Sequence, residues 1–202
     1  RNAYKLFAAN GILFNHESER RGKTFVTRKI SVAVSSIINN QQEVLTLGNI
    51  DAKRDWGYAP EFVEGMWRML QVDEPDDYVL STNETHTIRE FTEKSFAYFG
   101  ISLLWEGEGD QEIARISNSE SIDAKSISDT DKQFVKKFHK SRSGEIVVAI
   151  NPIYYRPTEV DLLIGDYSKA KRLLGWEPQT KFEDLVRKMV AADFEKIKKR
   201  CS

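Results

Sequence analysis

The chain has 202 residues, 40% hydrophobic and 30% charged, which suits one large or two small domains with a buried core. Thirty Lys and Arg against 31 Asp and Glu leave a formal net charge of -1, so no chain-wide field recommends nucleic acid or an anionic membrane, and any basic site has to be local. No apolar run approaches the roughly 18 to 20 residues of a membrane span and no signal peptide is visible, while the single cysteine, Cys201, excludes an internal disulfide and a cysteine-rich metal site and suits a reducing, cytoplasmic setting.

The opening RNAYK, from Arg1, carries no initiator methionine and reads as the tail of an exposed helix feeding a strand, so the chain is expected to start in mid-protein. The near-continuous apolar run from Lys5 to Phe14 predicts a strand buried on both faces of a parallel sheet. It breaks at Asn15 into a polar cluster, His16, Glu17, Arg20 and Arg21. With Thr24 as N-cap, Val26, Ile30, Ala33, Val34, Ile37 and Ile38 follow helical spacing. Val44 to Leu47 predicts a short strand that stops at Gly48. A polar loop, IDAKRDWGYA, then leads to a helix from about Pro60 with Phe62, Val63, Met66 and Leu70 on one face.

Tyr78 to Thr82 predicts another strand, and Thr87 with Glu90 has the spacing of a capping box opening a helix to Gly100. From about Glu106 to Gly144 the chain is polar with weak periodicity, which predicts a long, partly mobile excursion. Order resumes with the β-branched strand Ile146 to Ile150. A helix is expected from about Ser168 to Gly175, and a second box, Thr180 with Glu183, opens a last helix striped by Phe182, Leu185, Val186, Met189, Val190 and Ile197. Alternating strands and helices predict an α/β or α+β architecture. In open parallel sheets ligands bind beyond the carboxyl ends of the strands, which is where Asn15, His16 and Arg21 fall.

Three segments place arginine directly after a strand or among aromatic residues: FNHESERRG, KRDWG and YYRPTE. The guanidinium fork binds phosphate oxygens bidentately and stays charged, so three such loops in a near-neutral chain suggest a small polyanion, for which a nucleotide diphosphate is the economical candidate. Each residue also has a structural reading. His16 can be an end-of-strand histidine bonded to backbone, and with His86 and His139 in unrelated contexts there is no metal-ligand spacing. Arg20 and Arg21 can form a solvated turn, and Lys29 either snorkels or meets an anion near a helix N-terminus. Arg54 can pair with Asp55 on the surface. Arg156 can bridge to Glu159, or the two can serve a phosphate and sugar hydroxyls. No general-acid/base set and no Gly-rich phosphate loop is present.

NGILFNHESERRGKTFVTRKI, LGNIDAKRDWGYAPEFVEGMW, YYRPTEVDLLIGD and SKAKRLLGWEP, in that order, resemble the GDP-mannose 4,6-dehydratase family of extended short-chain dehydrogenases/reductases. The last and the RDW-like loop recur across sugar-nucleotide epimerases and dehydratases, whereas LFNHESERRGKTFVTRKI and YYRPTEVD are close to the GDP-mannose family alone. The resemblance implies an α/β fold: the C-terminal part of a Rossmann-like parallel sheet (about 1–24 and 36–80, binding NADP) interleaved with a small α/β substrate-binding domain (about 25–35 and 81–202). It also implies roles. His16 and Arg21 hold NADP; Asn15, Val26 and Lys29 line the nucleotide-sugar pocket; Arg54 and Arg156 grip the diphosphate; Glu159 meets ribose or sugar hydroxyls. The family's Gly-rich loop and its catalytic Thr, Glu, Tyr and Lys precede the segment with which this chain begins. The catalytic residues are therefore expected upstream of Arg1, none is expected on this chain, and the chain alone is expected to be inactive. The implied activity converts GDP-mannose to GDP-4-keto-6-deoxymannose, in GDP-fucose biosynthesis, in a cytoplasmic homo-oligomer, a dimer or tetramer, without nucleic acid or membrane partners. The rival readings are an epimerase or dehydratase of another sugar nucleotide, and a non-catalytic nucleotide-sugar-binding module.

Overall fold

The computed structural model describes residues 1–117, 127–154 and 162–201. Its secondary structure sorts into two packed layers, each with its own apolar core.

The smaller layer is built on β1 (Asn10–Leu13), which runs parallel to β6 (Asp77–Leu80) with Ile12 opposite Val79. Helices α2 (Ala59–Met69) and α5 (Ser168–Leu174) pack with β6 around Phe62, Met69, Tyr78, Leu80, Ala170 and Trp176. Pro60 sits in the first turn of α2, where its missing N–H costs nothing. The buried stripe of that helix is Phe62, Gly65 and Met69, while Val63 and Leu70, expected on the same face as Phe62, are exposed. Gly65 explains the choice of stripe: a Cβ there would stand 2.5 Å from Leu80 Cδ1, so the helix closes on the strand only where a side chain is missing. The first strand also departs from expectation. Leu6, Phe7 and Ile12 are about half exposed instead of buried on both faces, because β6 is the strand that pairs with β1 among the described residues and helices cover one side of the pair. The opening RNAYK has the geometry of a helix end, as expected: Leu6 N donates to Arg1 O at 3.3 Å and Lys5 takes a φ of +53°, the six-to-one bond and left-handed residue that close a helix C-terminus. Arg1 fastens that turn to the start of β6, its Nη1 donating to Pro75 O at 3.0 Å and standing 3.1 Å from Asp77 Oδ1.

The larger layer is a four-stranded sheet in the order β3 (Leu45–Leu47), β10 (Ile146–Ile150), β9 (Ile113–Ile116), β8 (Leu103–Glu106). β3 is parallel to β10 and the other pairs are antiparallel. Around it lie α1 (Val26–Ile38), α3 (Ile88–Ala97), α4 (Asp129–Arg142) and the long α6 (Phe182–Cys201), with α1 packed on both α3 and α6. Ile30, Val34, Ile37, Phe91, Phe96, Met189 and Val190 are completely buried there. The Thr87–Glu90 capping box forms as its spacing predicts, with Glu90 N donating to Thr87 Oγ1 and Thr87 N donating to Glu90 Oε2. Two expectations are corrected. Much of the stretch from 106 to 144 is ordered, since β9 and α4 put Ala114, Ile116, Val135 and Phe138 into the core; residues 118–126 lie outside the described set. And α1 is capped by Phe25 with no side-chain bond, not by Thr24.

Two short pairs join the layers. β2 (Asn15–Glu17) runs parallel to β5 (Trp56–Tyr58), and β4 (Lys53–Arg54) runs antiparallel to β7 (His86–Thr87). Trp56 reaches into the larger core beside Phe91 and Phe182, so the loop that carries Arg54 is anchored by its tryptophan.

Candidate functional site

Period-2 alternation along β2 separates the polar cluster into two sides. Asn15 faces a cavity of about 610 Å³, within the ordinary range for a small-molecule site. Arg21, Val26 and Lys29 line the same cavity, as does Arg54 from β4. Its floor and far wall are Leu47 and Gly48 at the end of β3, Asn49, Ile88 and the Ile153–Tyr154 turn. Five residues singled out in the sequence thus meet in one place. Three of them are cations, and no carboxylate is among the described lining residues.

Each cation is held differently. Arg21 Nη1 donates to His16 O at 3.3 Å, its guanidinium carbon lies 3.8 Å from the centre of the Phe25 ring, and its Nε stands 3.4 Å from Glu17 Oε2. Glu17 is 1% exposed and accepts from Thr27 Oγ1 at 2.5 Å; burial pushes its carboxyl above the usual range, against the pull of Thr27 and Arg21. Lys29 lies one turn into α1 with its ammonium 3.9 Å from the Tyr154 ring centre, and desolvation pushes its pKa down. A cation so placed gains from an arriving anion, which restores the interaction that water no longer supplies. Arg54 Nη1 donates to Lys53 O at 2.8 Å, which holds the guanidinium end of the side chain against its own strand at the cavity wall.

His16 points the other way. Its ring stacks on Phe62 at 5.1 Å, and Nδ1 lies 2.8 Å from Phe14 O; a carbonyl only accepts, so Nδ1 carries the proton and Nε2 is the nitrogen left to meet a ligand. Arg1, the residue before which the catalytic groups are expected, is not among the lining residues; its guanidinium is engaged with Pro75 and Asp77 in the smaller layer, so its role on this chain is structural. Arg156 and Glu159 lie outside the described residues, so a shared grip by Arg54 and Arg156 stays an expectation. Among the described residues no group of His, Cys, Asp and Glu is placed to hold a metal, and no helix is long and apolar enough to cross a membrane.

Sequence reasoning passed over two contributors and misplaced a third. Gly48 admits the Tyr154 turn: a Cβ there would lie 2.5 Å from Tyr154 O. Arg28 is buried under the 18–21 loop, donating through Nη1 to Glu19 O and, at 3.2 Å, to Arg21 O, while Nη2 pairs with Asp193 Oδ1 at 2.6 Å and Ser31 Oγ donates to Asp193 Oδ2 at 2.7 Å. The signal was an acid, Asp193, inside the apolar stripe of α6 between Val190 and Phe194. Asp55 is the third. It is completely buried and accepts hydrogen bonds from the Thr82, Asn83 and Gly165 amides, which replaces the surface ion pair with Arg54.

A family model for GDP-mannose 4,6 dehydratase matches residues 1–189. The chain belongs to that family. It is 50% identical over 195 residues to the GDP-mannose 4,6 dehydratase of Cricetulus griseus, 49% over 195 to that of Homo sapiens, and 47% over 198 to that of Sinorhizobium fredii. These alignments cover 96%, 96% and 98% of this chain and 46%, 46% and 50% of the relatives. The chain therefore spans about half the length of the curated relatives it matches. Among solved structures it is similar to dTDP-glucose 4,6-dehydratase from Bacillus anthracis in complex with NAD (TM-score 0.63, 14% identity, 98% of this chain and 48% of that one) and to a Pseudomonas aeruginosa protein complexed with NADPH (TM-score 0.62, 14% identity, 92% and 47%). At such identities the likeness shows the fold, and the α/β, Rossmann-type architecture expected from sequence is what the structure has.

Proposed function

We propose that this chain is the substrate-binding portion of an NADP-dependent GDP-mannose 4,6-dehydratase, and that its cavity takes the diphosphate and sugar of GDP-mannose. The observation that carries the reading is the convergence of Arg21, Lys29 and Arg54 on one cavity without a lining carboxylate among the described residues. A pyrophosphate is the small ligand whose charge such a wall matches, and Asn15 adds an amide suited to a sugar hydroxyl. Arg156 and Glu159 complete the site in this proposal, the one on phosphate and the other on ribose or sugar hydroxyls.

NADP fits beside it. His16 keeps Nε2 available on the side of β2 opposite Asn15, and Arg21 offers a cation at the junction of the two faces. When bound, that cofactor takes up a hydride and returns it. What this chain's residues do is hold the phosphates, seat the sugar through Asn15 and Val26, and desolvate Lys29 so that its charge is directed at the ligand. The groups that move protons belong to the family's upstream half, before the position of Arg1. The cofactor part is proposed as about 1–24 and 36–80 and the substrate part as about 25–35 and 81–202, adjusted by packing: β3 and Trp56 go with the substrate part, and the α5 segment through Trp176 goes with the cofactor part. A cytoplasmic homo-oligomer belongs to the same proposal.

The test is competition. GDP-mannose should displace a fluorescent GDP from the protein and UDP-glucose should not; equal displacement by UDP-glucose would transfer the assignment to another sugar nucleotide.

A further inference from the structure

We propose that Asp55 is a positioning residue for the cavity: its carboxylate sets the place of Arg54 by fastening the Arg54 strand to two distant segments. The inference rests on the reading of the cavity as a nucleotide-sugar site. Arg54 lines the cavity and Trp56 is buried in the larger core, so the residue between them is turned into the protein. Asp55 is completely buried. Its Oδ1 accepts from Thr82 N at 2.8 Å and Thr82 Oγ1 at 2.7 Å, and its Oδ2 accepts from Asn83 N at 3.1 Å and Gly165 N at 3.3 Å. Four neutral donors account for both oxygens, which is how a carboxylate without a cationic partner among the described residues is kept inside.

The donors come from places that need holding. Asn83 has φ +58°, in the left-handed region, and its amide is one of those bonded. Gly165 lies so close to β6's end that a Cβ would stand 2.5 Å from Ser81 Cβ. Three residues before it, Leu162 makes a parallel bridge with Lys53, the neighbour of Arg54. The Asp55 carboxylate thus ties three strands of chain together directly behind the arginine. Without it, the Lys53–Leu162 bridge and the Asn83 turn lose their common anchor, and the guanidinium loses a fixed base.

The replacement Asp55→Asn keeps the shape but puts an NH2 against donors, so it releases either Thr82, from the Oδ1 position, or Asn83 and Gly165 together, from the Oδ2 position. GDP-mannose titrated into the full chain should bind about tenfold or more weakly in D55N, from the loss of charge-assisted bonds. T82V, which removes one donor and leaves the carboxylate, should weaken binding by a few-fold. In an R54Q background both changes should add little, because they act through Arg54. Wild-type affinity in D55N and T82V, or the same loss with and without Arg54, would overturn the proposal. If D55N does not fold, T82V alone decides on the same two criteria. If the wild-type chain itself shows no GDP-mannose binding, the nucleotide-sugar reading fails. Hydrogen exchange then judges the clamp: faster exchange at Thr82, Asn83 and Gly165 in the variants keeps it, and unchanged protection ends it.

Discussion

The two layers of this molecule close their cores to very different degrees. In the larger one, α1, α3 and α6 bury Val34, Ile37, Phe91, Phe96 and Met189 completely against the four-stranded sheet. In the smaller one, β1 and α2 leave Ile12, Val63, Trp67 and Leu70 more than half exposed. Of the described lining residues, Val26 and Lys29 on α1, Leu47 on β3 and Ile88 on α3 stand on elements seated in the closed core, and none stands on β1, β6, α2 or α5. In the proposed site, Lys29 therefore stands on the more fully closed part of the fold, where positional accuracy is easiest to maintain.

The comparison can be broken most directly by truncating one aromatic side chain in each layer. Phe194 is 2% exposed and packs edge-on against Phe99 at 4.9 Å, so Phe194→Ala should cost about 3–5 kcal/mol in urea unfolding. Trp67→Ala, at 61% exposure, should cost within about 0.5 kcal/mol. Equal losses would mean that the layers are not distinct.

Of similar size is the ion pair under the 18–21 loop. Asp193→Ala strands the Arg28 guanidinium in the core and should destabilise by about 3–5 kcal/mol, whereas Arg28→Met with Asp193→Leu should recover most of the loss. In the double variant, with the Glu19 and Arg21 carbonyls released, GDP-mannose should bind more weakly than to the wild type, and unchanged affinity would show that Arg28 does not support the cavity.

The smallest effect concerns Glu17. Burial raises its folded pKa above the ordinary 4.5, so its favourable contribution is complete below that value and is lost as pH climbs through the raised pKa. Glu17→Gln keeps an acceptor for Thr27 without the charge. Measured by thermal melting from pH 4 to 7, the variant should gain on the wild type as pH rises; a constant difference would show that Glu17 does not titrate in that window.

The helices with strong local signals were legible: α1, α3 and α6 stand where apolar spacing put them, and the Thr87–Glu90 box is formed. Five of the candidate residues share one cavity because strand ends and the first turn of α1 are neighbours by topology, which the family resemblance supplied and periodicity alone did not. What stayed hidden was set by partners distant in the chain. Asp55 looked like half of a surface pair because its donors lie at 82, 83 and 165, and Val63 looked like core because the Gly65 contact with Leu80 decides which stripe of α2 faces in. The stretch from 106 to 144 read as an excursion because β9 and α4 bury few residues each, below what a polar composition reveals.

Calorimetric titration of GDP-mannose into the wild type and into Arg54→Lys and Lys29→Gln tests the central claim most directly. Saturable binding that weakens by about 1–3 kcal/mol in each variant, with unfolding free energies unchanged, is the predicted result. Wild-type affinity in both variants would contradict it, since a diphosphate seated in that cavity has to touch those two cations.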